Sequence, residues 1–437
     1  MWRKIGYFLL LTLAAVVPVI VLVLLPVWGI LAAAVALVAW LTLTRTGRQA
    51  RSATAVAVST LPQRIGSSSV VVIGIAGVVG VLVALFAMAD GFRATLQQTG
   101  SDDTAIVLRA GSQTEINSVL DHDAIVVVSQ EPQVMRDAHG RPIASPEIVV
   151  AASIPKKSNG IDANVEIRGV GEEAWELYPR LKIIAGRRFH PGLRELIVGK
   201  GAAREFAHTR IGSVLDLNGQ PWTVVGEFDS GDSHDSELWA DTAVVATTYQ
   251  RGSSTSSLTV RLANPRLFDA FKAALTSDPR LKLQTQTTRK YFAAQSEGLT
   301  KIIRILGTTV AIIMGIGALF GALNTMYAAV STRTREIATL RAIGFRGAPV
   351  VVSVLIETLL LAIGGGVIGG VIAWVLFDNY TASTLGANFS QVVFEFRVTP
   401  ALLAEGLKWA LAIGFLGGLF PAVRAARMPV TEGLREL

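Results

Sequence analysis

The sequence predicts an α-helical membrane protein with a large mixed α/β extracytoplasmic domain, built as a four-span core plus an extra N-terminal two-span hairpin. Three observations predict it. Apolar residues make up 51% of the 437 and charged residues only 17%, a balance too oily for a soluble chain of this length. Six apolar runs each approach the roughly 20 residues needed to cross a bilayer. Between the third and fourth lies a polar interval of about 190 residues, enough for its own core.

The elements follow in order. Residues 5–44 hold no charge; as one helix they would extend about 60 Å, twice the hydrocarbon core. Leu25-Pro26-Val27-Trp28-Gly29 is the natural break, because Pro and Gly punctuate helices and Trp favours the interface. Two spans result, at about 6–25 and 28–44. Arg3-Lys4 would suit a signal peptide, but the apolar stretch is too long and no small-residue cleavage site follows. The predicted organisation is a hairpin over 1–45, a cytoplasmic interfacial segment over 46–69 and a first core span over 70–90, which ends at Asp90-Gly91. An outer domain with a stalk occupies 91–298, then a second core span 299–330, a charged loop 331–349, a third core span 350–377, a short outer loop 378–400, a fourth core span 401–424 and a tail 425–437.

Orientation follows from Lys and Arg in the short loops. Arg3, Lys4, Arg45, Arg48, Arg51, Arg64, Arg333, Arg335, Arg341, Arg346, Arg424, Arg427 and Arg435 fall on one side, against Arg397 alone in 378–399. Both termini are therefore expected in the cytoplasm, with the chain in the bacterial inner membrane. The formal charge of +7 belongs to these membrane flanks and does not indicate nucleic acid. The chain has no cysteine, which excludes disulfides and thiolate chemistry.

In the outer interval, β-branched runs predict strands at 104–108, 147–151, 165–170, 195–198, 222–228, 243–246 and 258–262. Helical patterns fit 199–207 and 265–275. Asn218-Gly219 between two apolar runs predicts a hairpin. Asp229, Asp232, His234, Asp235 and Glu237 fit no calcium-loop spacing, and the segment reads as a solvated loop, as does Asp121-His122-Asp123. His139, His190 and His208 are scattered, with no zinc-protease spacing and no nucleophile elbow. No catalytic residue, metal site or cofactor site is assigned in this chain.

Gly364-Gly365-Gly366-Val367-Ile368-Gly369 has dinucleotide-fold spacing but lies inside an apolar span, where no aqueous strand–turn–helix exists. The same residues supply Gly365-x-x-x-Gly369, and Gly317-x-x-x-Gly321 and Gly414-x-x-x-Gly418 recur in other spans. Small residues at this spacing let helices approach closely in lipid; packing within the chain and packing between subunits both fit. Glu357 lies about two turns into the third core span, placed to snorkel or to pair with Arg341 or Arg346.

The loop reads Ser331-Thr332-Arg333-Thr334-Arg335-Glu336-Ile337-Ala338-Thr339-Leu340-Arg341-Ala342-Ile343-Gly344, and the last span ends in Pro421-Ala422-Val423-Arg424-Ala425-Ala426. Both resemble the permease subunits of MacB/FtsX-type (type VII) ABC transporters, over residues 52–437. Arg333, Glu336, Ile337, Arg341, Ala342 and Gly344 match that family's coupling motif; Ala338 departs from its usual Gly. Gly186-Arg187-Arg188-Phe189, Ile197-Val198-Gly199 and Val224-Val225-Gly226 look like its periplasmic core. The resemblance implies an FtsX-like core in which Arg333, Arg335, Glu336, Ile337, Leu340, Arg341, Ala342 and Gly344 couple to an ABC ATPase. It also implies a second permease copy and a periplasmic membrane-fusion adaptor, with lipid around the spans. The chain has no Gly-x-x-x-x-Gly-Lys-Ser/Thr phosphate loop, so ATP and Mg are expected on a separate ATPase subunit. The implied activity is mechanotransmission for export or extraction. Activation of a periplasmic cell-wall hydrolase and lipoprotein release are the alternatives. The family core does not account for the two N-terminal spans.

Overall fold

The computed structural model describes residues 21, 24–278 and 280–433. The chain divides into two compact units. A helical unit comprises Met1–Ala87, Ile303–Asn379 and Arg397–Leu437; a sheet unit comprises Met88–Ile302 and Tyr380–Phe396. The helices used below are α1 (Val27–Leu43), α2 (Arg45–Ser59), α3 (Ile65–Gln98), α4 (Thr288–Thr332), α5 (Thr334–Ala342), α6 (Gly347–Phe377) and α7 (Pro400–Arg427). Among the described residues, α3 from Ser68, α4, α6 and α7 are long and apolar enough to cross a membrane.

Each predicted core span falls inside one of these four helices, and three of the helices extend well past the apolar run. Asp90-Gly91 does not end α3, which continues to Gln98. Gly91 is there because a Cβ would collide with the Glu395 carbonyl. The second core span begins within α4 at 299, whereas α4 itself starts at Thr288 and runs unbroken for 45 residues. Pro421 sits inside α7, which continues to Arg427.

The first arm of the predicted N-terminal hairpin falls almost entirely outside the described residues. The second arm is α1. It breaks at Thr44, whose Oγ1 accepts from the Gly47 N–H at 2.9 Å and caps α2. The chain turns by 100° there. The buried face of α2 is Gly47, Ala50, Ala53 and Ala57, and the helix packs against α6.

The membrane-type helices are held by glycines. A Cβ at Gly365 would stand 2.8 Å from the Val72 carbonyl oxygen, and one at Gly369 would collide with Ala76, so α6 meets α3 backbone to backbone. Gly414 and Gly418 of α7 admit Ala362 and Thr358 of α6 in the same way. Four of the six predicted packing glycines therefore pack within the chain. Gly317 and Gly321 do not: a Cβ at either meets nothing within 4 Å, and Ile313, Ile316 and Phe320 beside them on α4 are exposed.

The sheet unit is a ten-stranded sheet. Its strands are β1 (Thr104–Arg109), β2 (Ala144–Pro155), β3 (Asp162–Val170), β4 (Lys182–Gly186), β5 (Glu195–Gly199), β6 (Val214–Leu217), β7 (Gln220–Asp229), β8 (Glu237–Asp241), β9 (Ser257–Arg261) and β10 (Leu283–Thr287). They are ordered β10-β1-β9-β2-β3-β8-β5-β7-β4, with β6 also on β7. Strand β2 joins two lobes. Its residues 144–147 pair with β9 and 148–155 with β3, and each lobe has its own apolar core. Asn218 (φ 54°) and Gly219 (φ 73°) make the predicted β6–β7 turn, both left-handed as a type I′ turn requires. The strand predicted at 243–246 is instead the helix Thr242–Thr248. Asp241 accepts from the Val244 N–H at 3.0 Å and caps it, and that cap overrides the β-branched run. The loop expected at 378–400 folds as a hairpin, β11 (Thr381–Leu385) and β12 (Gln391–Glu395), docked on the sheet unit through Asn164 Nδ2 to the Phe389 carbonyl at 3.1 Å.

Arg168 on β3 ties both lobes and the hairpin together. It is buried and makes six hydrogen bonds, to Glu115, Glu147, Glu166 and Glu237. Glu166 also accepts from Asn388 at 2.9 Å and Ser390 at 3.1 Å of the hairpin. Four carboxylates face one guanidinium. Burial pushes Glu166 up to about 7, helped by Glu237 beside it; burial likewise raises Glu147. Burial would also raise Glu115, but Arg168 overrides it and holds that carboxyl low.

Two outcomes are expected for the detergent-solubilised chain. Gly369→Leu should lower the thermal midpoint of the helical unit by the equivalent of about 1–3 kcal/mol or more, while Gly317→Leu leaves it unchanged. Arg168→Met should cost about 3–5 kcal/mol at pH 8, because it leaves buried carboxylates without their cation. A raised carboxyl binds its proton more tightly when folded, so its contribution is full below 4.5 and lost as pH rises through about 7. Unfolding monitored by tryptophan fluorescence should therefore show the Arg168→Met loss shrinking at pH 5; equal losses at both pH values would contradict this charge balance.

Candidate coupling site and buried histidine site

Helix α5 lies between α4 and α6 and has two faces. Thr334, Ile337 and Ala338 are buried, at the i, i+3, i+4 spacing of one helix face. Ile337 packs with Met326 and Val330 of α4, Val350 and Val354 of α6, and Ala422 and Ala425 of α7. Arg335, Glu336, Thr339 and Ala342 are exposed, followed by Ile343 at 70% exposure.

The predicted coupling residues therefore divide. Arg335, Glu336, Ala342 and Gly344 are on the exposed side, and Leu340 is half-buried. Ile337 is an anchor whose side chain is not available to a partner. Arg333 reaches inward: its Nε is 3.1 Å from Glu336 and its Nη1 3.1 Å from Glu357 on α6. Glu357 thus pairs with Arg333, not with Arg341 or Arg346 as expected, because it lies one helix away from the start of α5 and not its end. Arg341 donates to the Met428 carbonyl.

Gly344 ends α5 with φ 102°. The Phe345 N–H bonds the Leu340 carbonyl at 3.1 Å and the Gly344 N–H bonds the Arg341 carbonyl at 3.1 Å, the paired bonds of a Schellman cap. The motif's glycine is explained by backbone geometry.

The segment Asp229–Glu237 is not the solvated loop expected from its composition. Asp232, Ser233, His234, Ser236 and Glu237 are buried, and the turn Ser233–Ser236 is capped by Asp232. His234 is 1% exposed. Its Nδ1 lies 2.9 Å from Asp232 Oδ1. Tyr178, Trp239 and Phe292 surround the ring edge-on, with centroids 5.0, 5.6 and 5.7 Å away. Burial alone would lower its pKa, but Asp232 and Glu237 outweigh burial and push it up to about 9. Composition hid this site, since Ser, Gly and Asp dominate it. The one available signal was Glu166-x-Arg168 on a predicted strand, which places opposite charges on one sheet face. Among the described residues, no three His, Asp or Glu are placed to hold a metal ion.

Comparison with known proteins follows the same division. A model of the MacB-like periplasmic core domain matches residues 68–278, and one of the FtsX-like permease C-terminal matches 308–430. The chain is 26% identical over 392 residues to the macrolide export ATP-binding/permease protein MacB of Photorhabdus laumondii, covering 83% of this chain and 57% of that protein. It is 25% identical to the MacB of Bordetella avium (66% and 46% covered) and 24% identical to that of Shigella boydii (84% and 57% covered). The chain thus spans about half the length of these curated relatives. The periplasmic region of MacB from Actinobacillus actinomycetemcomitans superposes with a TM-score of 0.34 at 15% identity, covering 44% of this chain and 92% of that one, too loosely to bear on the assignment. The two family models occur in the order of the sheet unit and the last three long helices, and full-length relatives align across both: the chain belongs to the MacB/FtsX-type family of ABC transporter permeases.

Proposed function

We propose that this chain is a permease of the bacterial inner membrane that converts ATP hydrolysis by an ABC ATPase subunit into movement of its sheet unit. That movement drives export or extraction of a substrate without a path through the bilayer. The observation that carries this reading is α5. It is a short helix anchored by Ile337 in a core shared by α4, α6 and α7, with Arg335, Glu336, Thr339, Ala342 and Ile343 left outside. A partner that grips this face pulls on three spans together.

ATP and Mg bind the ATPase, and this chain supplies no catalytic group. The open face of α4 at Gly317 and Gly321 suits a second permease copy, because small residues allow close approach in lipid. A membrane-fusion adaptor engages the sheet unit outside the membrane. The arginine distribution supports a cytoplasmic side for α5 and both termini. The uncharged run 5–44 has the length for a two-span hairpin whose second arm is α1, and α2 then lies along the inner membrane surface. The relatives' names specify macrolide export, which favours export over hydrolase activation or lipoprotein release.

Arg335→Ala combined with Glu336→Ala should reduce co-purification of the ATPase at least fivefold, while membrane insertion and yield stay the same. Undiminished ATPase recovery would overturn the coupling role. Single cysteines placed in this cysteine-free chain report topology directly. A membrane-impermeant maleimide added to intact spheroplasts should label position 112 and not position 46; labelling of position 46 would reverse the assigned orientation.

A further inference from the structure

A cavity of about 440 Å³ opens into the sheet unit, walled by Gln97 and Gln98 at the end of α3, by residues 99–101 and Asp103 after it, and by Thr288, Arg289 and Phe292 at the start of α4. His234 is in its wall. Asp232 can only accept at Nδ1, so the Nδ1 proton is on the imidazole. Nε2 has no hydrogen-bond partner among the described residues. A side chain this deeply buried, with an idle ring nitrogen beside a cavity, calls for a bound partner. Because burial is outweighed by Asp232 and Glu237 and the pKa lies at about 9, Nε2 carries a proton at neutral pH and the partner must be an acceptor.

The other charged groups of the wall agree. Arg180, Arg261 and Arg289 all border the cavity. Their nearest carboxylates, Asp232, Asp103 and Asp102, stand at 3.8, 3.7 and 3.4 Å; Arg180 also donates to the Gln98 carbonyl and Arg261 to the Leu177 carbonyl, which leaves each guanidinium further N–H donors. The wall's carboxylates are more fully occupied: Glu115 by Arg168 and Ser257, Asp232 by His234 and Ser230, and Asp103 by Ser101. Arg168 keeps to its four glutamates. Tyr178 and Leu181, only partly buried, add an apolar surface on the same wall. We propose that this cavity binds an amphipathic organic anion, with its carboxylate or phosphate at His234 Nε2 and the guanidiniums of Arg180, Arg261 and Arg289, and its apolar body against Tyr178 and Leu181. The volume fits a small organic molecule. A bound anion would touch both the end of α3 and the first turn of α4. The site is independent of the coupling role assigned to α5.

The test uses the full chain in phosphatidylcholine nanodiscs, with 4-fluorophenyl phosphate as probe and ¹⁹F NMR line broadening as readout. Saturable binding is expected, weakened at least tenfold by His234→Gln and severalfold by Arg289→Gln, a mostly exposed position that leaves folding intact. Arg136→Gln, outside the cavity, should bind as the parent does. Neutral 4-fluorophenol should bind far more weakly. Repeating the titration in phosphatidylglycerol nanodiscs separates two sources of the same chemistry: competition identifies a lipid headgroup, and unchanged affinity identifies a soluble ligand. The proposal fails if the probe does not bind, if 4-fluorophenol binds equally well, or if both folded variants bind like the parent.

Discussion

Charge neutralisation by one buried guanidinium is the constraint on which the sheet unit depends. Arg168 joins Glu115 before β2, Glu147 on β2, Glu166 on β3 and Glu237 on β8. These residues come from both lobes. The two apolar cores are separate; strand β2 sets the register of both lobes through its backbone ladders, and the ion cluster adds the side-chain tie between them. Such a cluster is poor evidence for stability in itself, since desolvation offsets most of the Coulomb gain. Its consequence is specificity: removing Arg168 strands buried carboxylates. Through Glu166 the same cluster reaches Asn388 and Ser390, so the hairpin between α6 and α7 is held by the atoms that hold the lobes.

The helical unit meets the same problem with different means. In lipid the hydrophobic effect no longer drives helices together, and backbone approach at Gly365, Gly369, Gly414 and Gly418 takes its place. The faces of α6 toward α3 and α7 are thereby fixed. The face of α4 bearing Gly317 and Gly321 has no such neighbour among the described residues. The buried carboxylate of this unit, Glu357, is paired with Arg333.

The sequence made the spans legible because uncharged runs of this length have few other uses, and the Asn218-Gly219 turn because two left-handed residues in succession admit few others. The charged loop was legible as a unit, but its division into inward and outward residues was not. That division needs the helical phase of α5, which is set by its contacts with α4, α6 and α7. The Asp229–Glu237 segment failed for a related reason. Composition reports the mean polarity of a segment, and burial there is decided by partners such as Arg168 that lie far away in the chain. Residues 243–246 show a local failure: one capping carboxylate, Asp241, outweighed the β-branched preference.

The structure of α5 bears on how force would pass through it. A flexible loop would absorb displacement; α5 is fixed at both ends. At its start, Arg333 holds Glu336 of its own first turn and Glu357 of α6 with one guanidinium. At its end, the Schellman bonds around Gly344 fix the exit, and Arg341 is tied to the Met428 carbonyl just past α7. Between these ends Ile337 and Ala338 are buried. A load on the exposed side chains therefore meets backbone that is clamped to α6 and to the end of α7. Arg333 and Arg341 are thus engaged within the chain, while Arg335 is exposed and Glu336, also exposed, is paired to Arg333.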